Sequence, residues 1–262
     1  MSYISTMAVN DGIVMMADMQ AVRSQTKFDA PRIGSTSYKK LYTIGENIGV
    51  CFASANLKYK EIKLERLVNQ FCKDNFFDDP KVAARALHNY ICTGGLPVNC
   101  ETSQGLKNSI ELDGFPEYVI HVAGYYSKDK LAELKAQYPN VSNSPCVYIL
   151  NTTKDKDISP HLIGCQPTPT FIQCGNMIHV HQYVKQISSD KEFMDQCNLQ
   201  DAVDTSKAIF DVARILERTV DHITTISEEF EMLVITENGI QWLKKHELEV
   251  RENKEEKLEV TK

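Results

Sequence analysis

The sequence has no apolar run near the ~18 residues that a membrane-spanning helix needs, so no membrane partner is expected. None of its eight cysteines stands in a C-x-x-C spacing. No basic n-region precedes an apolar segment, so nothing points to export. The cysteines therefore read as buried thiols of a reducing compartment, not as a disulfide frame, and a cytoplasmic location is the expectation. No glycine-rich loop suited to cradling phosphates is present, which leaves nucleotide binding unsupported and implies no cofactor. No basic cluster interleaved with aromatics occurs, and the net charge is -6, so nucleic acid is not an expected partner. Neither an internal repeat nor a linker divides the chain. It reads as one domain over 1–243, followed by a charged tail over 244–262.

What is present concentrates at the start. Tyr3 to Val9 and Ile13 to Ala17 are apolar-rich runs of strand length, and Asn10-Asp11-Gly12 between them predicts a hairpin turn, Asp-Gly favouring positive φ. A second hairpin is expected from Tyr38 to Ile44, a Gly45-Glu46-Asn47 turn, and Ile48 to Ala53. Gln20 to Ser37 reads as a polar loop joining them. Two charges interrupt the apolar pattern, Asp18 at a strand end and Lys40 inside the next run. Alone, each has a plain explanation, a turn residue and a solvated face. Ser2 follows the initiator methionine. With Met1 removed, its hydroxyl and α-amine would share one residue, and an α-amine of pKa about 7.7–8.0 can accept the hydroxyl proton during attack on a carbonyl. Many chains begin Met-Ser and use neither group.

These segments together resemble the proteasome β-subunit and HslV-type peptidase family. The matching stretches are Asp11-Gly-Ile-Val-Met-Met-Ala-Asp18, then Lys39-Lys40-Leu-Tyr-Thr-Ile, then Gly49-Val-Cys-Phe-Ala-Ser-Ala55. Ungapped spacing from Asp18 places the family's nucleophile on Ser2 and its catalytic lysine falls on Lys40. Thr6 is chemically closer to the family's threonine but lies too near Asp18. The resemblance implies a threonine/serine-type N-terminal nucleophile hydrolase acting on peptide or amide bonds. Ser2 would attack, its amine or Lys40 would take the proton, and Asp18 would orient Lys40. Backbone N–H groups near Ser54 would form the oxyanion hole, and Phe52 would floor the substrate pocket. A homo-oligomeric ring, with or without an ATPase unfoldase, is the implied assembly. The alternative is a non-catalytic ring scaffold. Ser54-Ala55 stands where the family carries Gly-Gly, and Cys174-Gly175-Asn176 where it carries Gly-Ser-Gly. For the family's late aspartate, Glu217 and Asp221 are both candidates.

Past the second hairpin, Leu64, Leu67, Val68 and Phe71 follow helical spacing. Asp79-Pro80 opens another helix with Val82, Ala86 and Tyr90 on one face. Thr93 to Pro116 shows no periodicity. Strands are expected over Tyr118 to Tyr126, Cys146 to Asn151 and Pro160 to Gly164. Helices are expected over Asn176 to Ser188 and over Leu199 to Asp221, the latter capped by Asn198 with an Ile209, Val212, Ala213, Leu216 and Val220 stripe. Glu231 to Thr236 and Ile240 to Leu243 form a closing hairpin. Helices in pairs, not singly between strands, predict an α+β fold with two antiparallel sheets. Flanked by helix pairs, these would make the four-layer αββα sandwich of the family it resembles. His179 and His181 lack a third metal ligand, so no metal site is expected, and Cys51, inside an apolar strand, reads as core.

Overall fold

The first hairpin forms as the residue pattern predicts. Strand β1 (Tyr3–Val9) pairs with β2 (Gly12–Asp18), from Ile4 opposite Ala17 to Val9 opposite Gly12. Gly12 serves closeness, not positive φ. A Cβ there would come within 2.7 Å of the Leu199 side chain. In the other two long hairpins, Gly45 and Gly239 do adopt positive φ, at 61° and 125°. The computed structural model describes 3–23, 32–35, 37–54, 58–59, 62–92, 118–151, 169–175, 180–222 and 225–244.

The expected polar loop after Asp18 holds a short hairpin of its own, β3 (Ala21–Arg23) with β4 (Arg32–Ser35). Its strands are too short and too polar to show alternation. The next hairpin is β5 (Leu41–Ile44) with β6 (Ile48–Ser54), followed by the small β7 (Lys58–Tyr59) and β8 (Ile62–Lys63) pair. Helices α1 (Leu64–Asp74) and α2 (Pro80–Cys92) follow. In α2 the buried face is Ala83, Ala84, Leu87, His88 and Ile91, while Val82 is 48% exposed, so the packed stripe is rotated from the expected one. Beyond β9 (Tyr118–Gly124) stands α3 (Lys128–Gln137), a helix without a single buried residue. It offers no apolar periodicity to read, and the Ser127 cap on the Lys130 N–H marks its start. Strands β10 (Cys146–Asn151) and β11 (Thr170–Gly175), helices α4 (His181–Ser189), α5 (Lys191–Gln196) and α6 (Leu199–Thr219), and the hairpin β12 (Phe230–Thr236) with β13 (Gly239–Leu243) complete the order. The expected Pro160 to Gly164 strand, the Thr93 to Pro116 excursion and the 245–262 part of the tail lie outside the described residues.

Two larger antiparallel sheets result, β11-β1-β2-β12-β13 and β10-β9-β6-β5. With six helices among the described residues, the fold is mixed α+β. Alternation along each strand sorts side chains into separate cores. Tyr3, Met7, Val14, Met16 and Met232 pack with Val184, Val203 and Phe210 of the later helices. Val50, Phe52, Ile120 and Tyr148 pack with Leu64, Val68, Ala84 and Leu87. A third core draws on both sheets and no helix: Ile4, Ala8, Met15, Leu41, Cys51, Ala123, Val147 and Leu233. Asn198 caps α6 in a reciprocal box with Asp201, as expected. The α6 stripe, however, is Ala202, Val203, Ser206, Phe210, Ala213 and Glu217, while Val212 and Val220 face outward. Two polar residues lie on the buried face, which apolar periodicity discounts.

Gly124 stands at a close backbone crossing. A Cβ there would sit 2.2 Å from the Asn47 carbonyl oxygen and 2.9 Å from the Ile48 Cα, both main-chain atoms that cannot swing aside. Gly124→Ala is expected to cost about 1–3 kcal/mol through overpacking. In urea titration the midpoint should fall at unchanged slope, and an unaltered midpoint would remove this crossing as a constraint.

Candidate active site

Asp18 ends β2 and Lys40 immediately precedes β5, so each sheet delivers one partner. Lys40 Nζ lies 2.5 Å from Asp18 Oδ1, with both side chains fully buried. The Asp18 carboxylate also accepts the Tyr3 N–H at 2.7 Å and the Gln20 N–H at 3.0 Å. Lys40 Nζ donates to the Gln20 carbonyl at 2.5 Å as well. Burial pulls the Lys40 ammonium below its ordinary pKa, and the adjoining Asp18 charge works against that pull. The backbone fixes Lys40 from the other side, because the Phe52 N–H donates to its carbonyl at 3.1 Å.

The family resemblance singled out Asp18 and Lys40, and the fold brings the two into contact. Ser2 lies outside the described residues. Its carbonyl carbon is bonded to the Tyr3 nitrogen, whose N–H points to Asp18. Ser54 is the last residue of β6, and its side chain is outside the described set, as is Ala55. Phe52 is fully buried on the α1 and α2 side, 6.2 Å from the Tyr38 ring and 6.3 Å from the Tyr42 ring. The Cys174-Gly175 end of β11 pairs with the start of β1, Cys174 opposite Ile4 and Gly175 opposite Tyr3. Asn176 is outside the described residues.

Of the two late acids, Asp221 is exposed and Glu217 is 2% exposed. Glu217 accepts the Thr225 N–H at 2.7 Å, the Ile226 N–H at 2.8 Å and the Thr225 hydroxyl. That ties down the connection from α6 to β12. Ser227 then accepts the Met19 N–H at 3.0 Å, and the Met19 carbonyl accepts the Tyr38 N–H at 2.7 Å. Glu217 therefore does not join the Asp18–Lys40 pair directly; its loop clamps the residue after Asp18. Sequence reading missed the Tyr3 N–H, the Gln20 carbonyl and this Thr225–Ser227 loop. Main-chain groups carry no residue signature, so no motif could have flagged the first two.

Thr6 does not reach this site. It faces the layer between the sheets, where its hydroxyl meets His121 Nδ1 at 2.9 Å and Cys51 Sγ at 3.9 Å. Burial lowers the His121 pKa to about 4 and pushes the Cys51 thiol up to about 12. Cys51 is thus a core thiol, unsuited to nucleophilic chemistry at neutral pH. His181 opens α4 on the surface, His179 lies outside the described residues, and no group of three metal-binding side chains occurs among the described residues.

Compared with known proteins, the sequence matches no family model and none of the curated proteins. No helix among the described residues is long and apolar enough to cross a membrane.

Proposed function

We propose that this chain is an N-terminal nucleophile hydrolase of the proteasome-like kind, cleaving peptide or amide bonds with Ser2 after Met1 is removed. The observation that carries this reading is the buried Asp18–Lys40 pair, whose carboxylate also holds the Tyr3 N–H one bond beyond Ser2. A lysine is seldom sealed from solvent without a task for its charge. The three separate cores support a four-layer αββα arrangement, with helices outside each sheet and a helix-free core between them. The pairing of Gly175 with Tyr3 adds support, since it lays the counterpart of the family's late Gly-Ser-Gly beside the chain start.

In this reading Ser2 Oγ forms a bond to the substrate carbonyl carbon while its proton passes to the α-amine or Lys40. The depressed Lys40 pKa makes its neutral form easier to reach, and Asp18 keeps the nitrogen aimed. The leaving amine takes a proton as the C–N bond breaks, and water then hydrolyses the Ser2 ester. Backbone N–H groups near Ser54 would hold the oxyanion. The protein would work as a cytoplasmic homo-oligomeric ring that confines its nucleophile.

A second reading, a non-catalytic ring subunit, is favoured by Ser54-Ala55 in place of paired glycines and by the missing serine beside Gly175. The test is intact-mass measurement of the native protein, followed by an epoxyketone or β-lactone probe. Loss of Met1 and a Ser2 adduct, absent in Ser2→Ala, is the expected outcome. A retained Met1, or no adduct on processed and assembled protein, would favour the scaffold.

A further inference from the structure

The chain entering β5 is tied to the facing sheet at three consecutive residues. Lys40 Nζ reaches Asp18 at the end of β2. Just before it, Lys39 Nζ lies 5.1 Å from the centre of the Trp242 ring on β13, and 5.2 Å from that of Tyr42. Just after it, the Leu41 N–H donates to the Glu231 carboxylate of β12. Asp18, Glu231 and Trp242 all belong to the five-stranded sheet, whereas β5 stands at the end of the four-stranded one. A strand at a sheet end has a ladder on one side only. Here that ladder is β6, which pairs Cys51 with Leu41 and donates the Phe52 N–H to the Lys40 carbonyl. Any further hold on the entry to β5 has to come across the layer.

Register puts the holding groups where β5 can meet them. Glu231 is opposite Ala17, the residue before Asp18, and Trp242 is opposite Leu233, two residues after Glu231. Strand alternation therefore places Glu231, Leu233 and Trp242 on one face. Leu233 belongs to the core between the sheets, as does Leu41. Burial raises the Glu231 pKa, while the Lys39 charge and the Leu41 N–H both favour its ionised form. Lys39 is half-buried, so its attraction to the two ring faces is only partly screened by water. The Tyr42 hydroxyl also donates to the Lys39 carbonyl at 3.3 Å.

We propose that Lys39 and Glu231 are positioning residues for Lys40. Lys39 rests on Trp242, Glu231 holds the Leu41 N–H, and together they fix the main chain on both sides of Lys40. Its ammonium is thereby aimed at Asp18 and the chain start. The effect on Ser2 rests on the hydrolase reading given above, whereas the aiming of Lys40 does not.

The test uses the processed, assembled protein and two readouts. The first is the rate of Ser2 labelling at increasing β-lactone concentration. In Lys39→Met the maximal rate should fall about tenfold to a hundredfold, as small misplacements of a reacting group do, at an unchanged half-saturating concentration. Lys39→Arg keeps a cation that stacks on indole and should restore the rate. Glu231→Ala should lose rate as Lys39→Met does, and Glu231→Gln, which keeps an acceptor for the Leu41 N–H, should recover most of it. The second readout is acetylation of the Lys40 amine by N-hydroxysuccinimide acetate, read by peptide mass spectrometry, which needs no activity. It should be slow in wild type and in Lys39→Arg, and faster in Lys39→Met with native far-UV circular dichroism. If Lys39→Met does not fold, Trp242→Ala replaces it in both readouts, since it removes the ring and keeps the charge. A wild type that never labels would overturn the hydrolase reading alone, and acetylation would then decide the role of Lys39. An unchanged maximal rate in a protein that labels would overturn the proposal. So would unchanged Lys40 acetylation in one that does not, or Lys39→Arg as impaired as Lys39→Met.

Discussion

Lys40→Ala is expected to lower stability by about 3–5 kcal/mol, the typical cost of stranding a buried charge. The Asp18 carboxylate would keep its Tyr3 and Gln20 N–H donors but lose the ammonium at 2.5 Å, with no solvent to replace it. Urea titration should show most of the native stability gone. The double variant Asp18→Asn/Lys40→Met separates the two roles of the pair. It removes both charges, leaves an amide oxygen for one of the N–H donors, and fills the lysine's space with an apolar chain. Much of the stability should return, because a buried ion pair replaced by apolar volume is often neutral. Probe labelling of Ser2 should not return, since the proton acceptor and its orienting group are gone. A Lys40→Ala protein as stable as wild type would mean that water reaches Asp18. Full labelling in the double variant would remove Lys40 from the mechanism.

Acid should destabilise the protein well before its carboxylates are neutralised, through His121. This histidine is fully buried between the sheets, among Ile4, Ala123, Val147 and their neighbours. The Cys51 and Cys174 thiols and Tyr125 share that layer, as does the half-buried Glu231 carboxylate opposite Ala17 and beside Leu41, its own pKa raised by burial. The cause of the His121 shift is burial, which lowers its pKa from 6.5 to about 4. Above pH 6.5 neither folded nor unfolded chain is protonated there, and stability is at its full value. Between 6.5 and about 4 the unfolded chain binds a proton that the folded chain refuses, so stability falls as pH falls. Once the pH is below about 4 the loss is complete, at roughly 3 kcal/mol for this one group. His88 has the same sign, its pKa lowered by burial to about 4. Denaturation midpoints at pH 7 and pH 5 should differ clearly in wild type. The difference should shrink in His121→Gln, which keeps an acceptor for the Thr6 hydroxyl but cannot titrate. Equal differences in the two proteins would show that His121 is not the acid-sensitive group.

The clearest sequence signals belong to local structure. Turn residues between alternating runs located all three long hairpins, and Asn198 located the α6 cap, because those features depend on neighbours in the chain. Signals failed where burial was decided by partners elsewhere. Helix α3 buries nothing and so has no stripe to read. The α6 stripe includes Ser206 and Glu217, and the Thr225–Ser227 loop supplies the hydrogen-bond donors that let Glu217 be buried. Gly12 looked like a turn glycine, and its real constraint is Leu199, nearly two hundred residues away.

The same division runs through the candidate site. The residue pattern by itself determined the strands that begin and end near Asp18 and Lys40, while only the family resemblance set the two residues apart. It also determined that Ser2 could carry a hydroxyl and a free amine on one residue. Only the packing of one sheet on the other decided that Asp18 and Lys40 meet at 2.5 Å and are sealed from water. Contact across two sheets depends on layer spacing and on apolar side chains from distant strands, and neither is written in any local stretch of sequence.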